Sequence, residues 1–118
     1  MDEILKDLLR LEHSKGALVV GRDGLVLSYV GMVDLNVDTV GALASSTLGT
    51  TEVLGEEAKL GKLDQIILQY DDGIALVQII SDDWVLFLMG DKKMNIGMAR
   101  YLVSKTGPKI VESMTQSF

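Results

Sequence analysis

The chain has 118 residues, with 11 Lys and Arg against 17 Asp and Glu, a formal net charge of −6 and no cysteine. That length is enough for one domain to bury a core without staples and too short for two ordinary domains. Without cysteine there is no disulfide framework and no thiolate metal site, and a negative field with no basic run argues against a nucleic-acid partner.

Met1-Asp2-Glu3 leads straight into an amphipathic pattern, so neither the positive n-region nor the apolar h-region of a signal peptide is expected. Ile4, Leu5, Leu8, Leu9 and Leu11 recur at helical spacing, with Asp2 placed to cap and Lys15-Gly16 placed to stop. The pattern predicts a first helix over about residues 2 to 15. Two strand-length apolar runs follow, near 16–21 and 25–31, joined across Arg22-Asp23-Gly24. An Asp-Gly pair supplies the φ > 0 position that a tight antiparallel hairpin needs.

A second helix can start at Asp34 or Asn36 and run toward Glu57, with Gly55 and Gly61 as stops. It is rich in Gly, Ala, Ser and Thr. About 20 to 24 helical residues span roughly 30 to 36 Å, whereas five strands about 4.8 Å apart give a sheet only about 24 Å wide. Part of this helix is therefore expected to overhang its sheet. Gly41, Ser45 and Gly49, spaced four apart, form a low ridge where a second helix can approach. The same residues can instead let the helix sit tightly on its own strands.

Leu63 to Tyr70 reads as the next strand, with Ile66, Leu68 and Tyr70 on one face and Gln65, Ile67 and Gln69 on the other. Asp71-Asp72-Gly73 turns it into Ile74 to Ile80, and Ser81-Asp82-Asp83 turns that into Trp84 to Met89. Loops this short require antiparallel neighbours. Trp84 to Met89 is also the longest apolar run, far below the roughly 20 residues of a membrane span. The chain is expected to be soluble and cytoplasmic, with no membrane insertion.

Asn95 can cap a final helix in which Ala99, Leu102, Val103, Thr106, Ile110 and Met114 recur. Gly107-Pro108 lies inside it and predicts a kink, or else two helices. The expected fold is α/β of the α+β kind, one domain over residues 1–118. Its order is helix, two strands, helix, three strands, helix, giving a five-stranded antiparallel sheet sandwiched between helices.

Chemistry is sparse. Gly55 to Leu63 places five residues between glycines where a P-loop needs four, and Leu63 stands where the Mg²⁺-binding hydroxyl belongs. Glu56-Glu57 would repel a triphosphate. His13 is the single histidine, better read as a favourable charge near a helix C-terminus than as part of a triad. Asp71-Asp72 and Asp82-Asp83 lack calcium-loop spacing and sit where hairpins want turn formers. Met94 and Met98 flank the last helix and are more readily core than an exposed soft patch. No cofactor, metal or catalytic residue is nominated.

The order of these elements, with the Gly16 to Ser28 hairpin and its Arg22-Asp23-Gly24 turn, the small-residue second helix and the Asn95-Ile96-Gly97 entry to a helix carrying Arg100, resembles the roadblock/dynein-light-chain family. That resemblance implies a homodimer in which Leu63 to Tyr70 pairs with its twin and the second helices pack together. It also implies binding to Ras-like small GTPases or to motor and scaffold complexes. Gliding-motility members of that family accelerate GTP hydrolysis by a partner without a catalytic centre of their own. They commonly carry longer terminal extensions than this chain has.

The residues nominated for the dimer or partner interface are Gly41, Ser45, Leu48, Gly49 and Glu52 on the helix and Leu63, Gln65, Ile67 and Gln69 on the strand. The expected function is a homodimeric adaptor that regulates a small GTPase. The rival is a ligand-sensing module of profilin-like or PAS-like shape, which would keep a cavity with a few polar groups. Strands filled with Val, Leu and Ile favour a packed interior instead, and an enzyme comes third.

Overall fold

The computed structural model describes residues 1–116. In chain order the elements are α1 (Asp2–Leu8), β1 (Ser14–Gly21), β2 (Val26–Gly31), α2 (Val37–Glu57), β3 (Gln65–Tyr70), β4 (Gly73–Ile79), β5 (Trp84–Gly90) and α3 (Ile96–Gln116). The five strands form a single antiparallel sheet in the order β2-β1-β5-β4-β3. The expected order of elements is the observed one.

Local chemistry sets the joints. Gly24 has φ +89°, its N–H reaches Gly21 O at 2.9 Å, and Asp23 Oδ1 accepts from the Leu25 N–H at 3.0 Å. Asn36 Oδ1 accepts from Thr39 N–H to cap α2, and Asn95 Oδ1 accepts from Met98 N–H at the start of α3. These side chains satisfy amide donors that a helix start otherwise leaves open.

The sheet has apolar side chains on both faces. Ala17, Val19, Leu76, Leu86 and Leu88 pack under α1 and α3, with Leu5, Val103 and Ile110. Leu18, Val20, Val77 and Val85 form the opposite layer with Leu48 of α2. Alternation along β1, with Val19 to one side and Val20 to the other, produces this two-sided core.

Two expectations are corrected. The first helix ends at Leu8, short of residue 15, because Ser14 belongs to β1 and pairs with Gly90. The Ser14 hydroxyl sits 3.1 and 2.6 Å from the carbonyls of Leu9 and Leu11, so it closes the helix end that Lys15-Gly16 was expected to close. His13 therefore lies outside any helix, at φ +71°, with Nδ1 2.9 Å from Asp91 Oδ2. The second correction concerns β3, which begins at Gln65 and leaves Leu63 outside the strand. Of the two readings of Gly107-Pro108 the structure has the single helix, α3 running through Pro108 as one element. Val103, Thr106 and Ile110 anchor it in the core on both sides of the proline, and a Cβ at Gly107 would stand 2.8 Å from Ile80 Cγ2.

Among the described residues no helix is long and apolar enough to cross a membrane.

Candidate interaction surface

β3 lies at one end of the strand order, with only β4 beside it. The phase of that ladder decides which backbone groups are left over. Ile79 N–H donates to Asp64 O at 3.1 Å, and Gln65 stands opposite Gln78. Hydrogen-bonded pairs alternate along an antiparallel ladder, so Ile66, Leu68 and Tyr70 bond inward to β4. The N–H and C=O groups of Gln65, Ile67 and Gln69 point away from the sheet. The strand contains no charge, no proline and no register shift, so it lacks the usual devices that blunt an edge.

A polar clamp fixes the start of β3. Gln65 Nε2 donates to Gln78 Oε1 at 2.8 Å, and Arg100 Nε donates to Gln65 Oε1 at 3.0 Å. Gln78 Nε2 in turn donates to Asp64 Oδ1 at 3.0 Å. Beside this clamp, Leu54, Leu60, Leu63 and Ile67 line an open cleft of about 360 Å³. Ile67 is 38% exposed and Tyr70 63% exposed.

α2 is laid over β1 and β2 and is pinned along its length. A Cβ on Gly41 would overlap Val26 Cγ2, and Ser45 Oγ donates to Arg22 O at 2.7 Å. Farther along, Arg22 grips Glu52 with both terminal nitrogens, at 2.7 and 3.2 Å. That bidentate contact holds the Glu52 carboxyl below the usual glutamate range and raises the Arg22 guanidinium, with partial burial opposing both shifts. On the far side of the molecule the Lys93 N–H, and then His13, lower the Asp91 carboxyl in the same way.

The nominated residues therefore separate into two groups. Gly41, Ser45 and Leu48 are buried against the chain's own hairpin and sheet, whereas a Cβ on Gly49 would meet nothing within 4 Å. The three small residues do not share one outward ridge, because a step of eight residues along an α-helix advances by about 80° beyond two full turns. Glu52 is held by Arg22. Gln65, Ile67 and Gln69 lie together along the β3 edge, whereas Leu63 precedes the strand and packs against the layer that holds Leu48. Leu43, Val53 and Leu54, all exposed on α2, were not nominated. Leu43, Thr47, Thr50 and Leu54 recur at steps of four, three and four, a second stripe that periodicity could have revealed.

The phosphate-loop segment and the Asp71-Asp72 pair both serve joints of the fold. Residues 55 to 61 close the C-terminus of α2, with Leu60 N–H donating to Gly55 O at 2.8 Å. The negative pole of a helix is the wrong end for phosphate. Asp71 and Asp72 form the loop of a hairpin closed by Tyr70 and Gly73. Met94 is buried in the core and Met98 is exposed.

A three-layer α+β domain with one bare sheet edge is the class that this geometry defines. The family model of the Roadblock/LC7 domain matches residues 1–89, and the chain belongs to that family. Uncharacterized protein MJ0310 of Methanocaldococcus jannaschii is 31% identical over 110 residues, covering 93% of this chain and 96% of that protein. Among solved structures, MglB in a tetrameric arrangement superposes with a TM-score of 0.91 at 18% identity, covering 99% of this chain and 89% of that one. The gliding protein MglB of Thermus thermophilus gives a TM-score of 0.83 at 19% identity, with coverages of 91% and 82%. At these identities the two structures establish a shared fold.

Proposed function

We propose that the protein is a cytoplasmic homodimeric adaptor that binds and regulates a Ras-like small GTPase without contributing a catalytic residue. The observation that carries this reading is the β3 edge, where Gln65, Ile67 and Gln69 present unpaired backbone groups beside the apolar cleft at Leu54, Leu60 and Leu63. A second copy would satisfy those groups and lengthen the sheet, and the exposed stripe of α2 would then lie near its twin. Two helices side by side over a continuous sheet make a broad rigid face suited to a protein partner. The shared fold with MglB, in one structure as a tetrameric arrangement, supports assembly of this kind.

Static light scattering at micromolar concentration tests the first half, and a monomer there would remove the structural support for the adaptor. The second half is tested by GTP turnover of small GTPases from the same genome, measured with and without the purified protein. The protein alone should show no heat on titration with GTP-Mg²⁺ up to about millimolar, a limit worth only about 4 kcal/mol. Saturable binding abolished by Lys62→Ala would make it a nucleotide-binding module instead.

A further inference from the structure

We infer that two copies pair through β3 in a single register, with the two-fold axis at Ile67. Gln65 then lies opposite Gln69 of the second copy. This rests on the homodimer proposed above and adds what that reading leaves open. An antiparallel pair of identical strands must be symmetric about its axis, and only outward-facing residues can exchange backbone bonds across it. Those residues are Gln65, Ile67 and Gln69. Centring on Ile67 uses all of them as three pairs, each exchanging two backbone bonds. Centring on Ile66 or Leu68 leaves one outward residue of β3 without a partner inside the strand.

Side-chain chemistry selects the same register. With the axis at Ile67, Gln65 faces Gln69, Ile67 faces itself, and Ile66 faces Leu68 on the opposite side of the sheet, so amide meets amide and aliphatic meets aliphatic. An axis at Ile66 would set Gln65 against Ile67 and Leu68 against Asp64. An axis at Leu68 would set Gln69 against Ile67. The clamp from Arg100 and Gln78 already holds the Gln65 amide in place. The amide of Gln69 from the second copy is then brought beside an ordered group.

The chain has no cysteine, which makes the register measurable by single-site cross-linking. Ile66→Cys, Ile67→Cys and Leu68→Cys are oxidised separately with copper-phenanthroline and resolved by non-reducing electrophoresis, with light scattering and circular dichroism on each reduced variant to confirm its assembly and fold. Facing hydrogen-bonded residues stand about 5.5 Å apart at Cα, within disulfide reach. Diagonal neighbours at about 7–8 Å fall outside it. Ile67→Cys should cross-link at least about tenfold more than either neighbour, while the double variant Ile66→Cys/Leu68→Cys should cross-link where its single variants do not. Preferential cross-linking of Ile66→Cys or Leu68→Cys alone would overturn the register and leave the homodimer standing. A folded dimer that cross-links at none of these positions would overturn pairing through β3, and a folded monomer would overturn the underlying reading.

Discussion

At one edge of the sheet, β2 carries a register shift opposite Val19 and Val20. α1 lies against it, with the Ser28 hydroxyl donating to Asp2, and α2 covers its other side through Gly41 against Val26. At the other edge β3 is regular and its outward amides are free, with Gln65 clamped to Arg100 of α3 and Ile66 packed in the layer that holds Leu48 of α2. Neither strand contains a charged residue. Composition therefore does not separate the two edges, whereas bulging and helical cover do. The chain closes one edge with its own elements and leaves the other regular and able to receive a strand.

The largest test of that contrast is a charge placed on each edge. Ile67→Lys would set two like charges opposite each other across the proposed axis. Its dimer dissociation constant should rise about tenfold to hundredfold, or about 1.4 to 2.8 kcal/mol. Leu27→Lys, on the exposed side of β2, should change the constant by less than about threefold. Analytical ultracentrifugation measures both, and equal effects would break the comparison.

The two glycines of α2 give the next effect. Gly41→Ala should destabilise the fold by about 1–3 kcal/mol, because the added methyl overlaps Val26 on the covered edge. Gly49→Ala meets open space within its own chain and should gain up to about 1 kcal/mol of helix propensity. Urea unfolding at one fixed protein concentration compares them, since dimer stability depends on concentration.

The smallest effect is electrostatic. Glu52 has a folded-state carboxyl pKa below its unfolded value because Arg22 holds it. Its contribution to stability is therefore present above the unfolded value of about 4.3 and is lost as pH falls through the folded one. The stability gap between the wild type and Glu52→Gln should stay within about 0–1 kcal/mol at neutral pH, as for other partly exposed pairs, and should close on acidification through that window. Carboxyl NMR titration should show the Glu52 resonance moving back toward the ordinary glutamate range in Arg22→Met.

Much of the fold was legible because its signals are local. Asp23-Gly24, Asn36 and Asn95 announce a turn and two helix starts by their own side chains, and the strands of β4 and β5 follow from turn spacing. The end of α1 was not legible, because Ser14 is claimed by a pairing with Gly90 far along the chain. Whether the small residues of α2 form an outward ridge or a seat on the chain's own strands is open in the sequence for a related reason. Gly41 and Ser45 face the chain's own hairpin whereas Gly49 faces open space, and a four-residue spacing of small residues does not by itself say which side of the helix is covered. Gln65, Ile67 and Gln69 could be grouped on one strand by alternation, which also drew in Leu63 although the strand starts after it. Their placement at an edge depends on β1 pairing with β5, a contact between distant segments.

Amide hydrogen exchange along β3, followed from micromolar to millimolar protein, tests pairing of two copies through this edge most directly. Ile66, Leu68 and Tyr70 bond to β4 and are protected in either state. In a dimer paired through β3 the amides of Gln65, Ile67 and Gln69 should be protected as well, losing protection together on dilution below the dissociation constant. Unprotected exchange at those three positions at every concentration, with Ile66 and Leu68 still protected, would contradict the account.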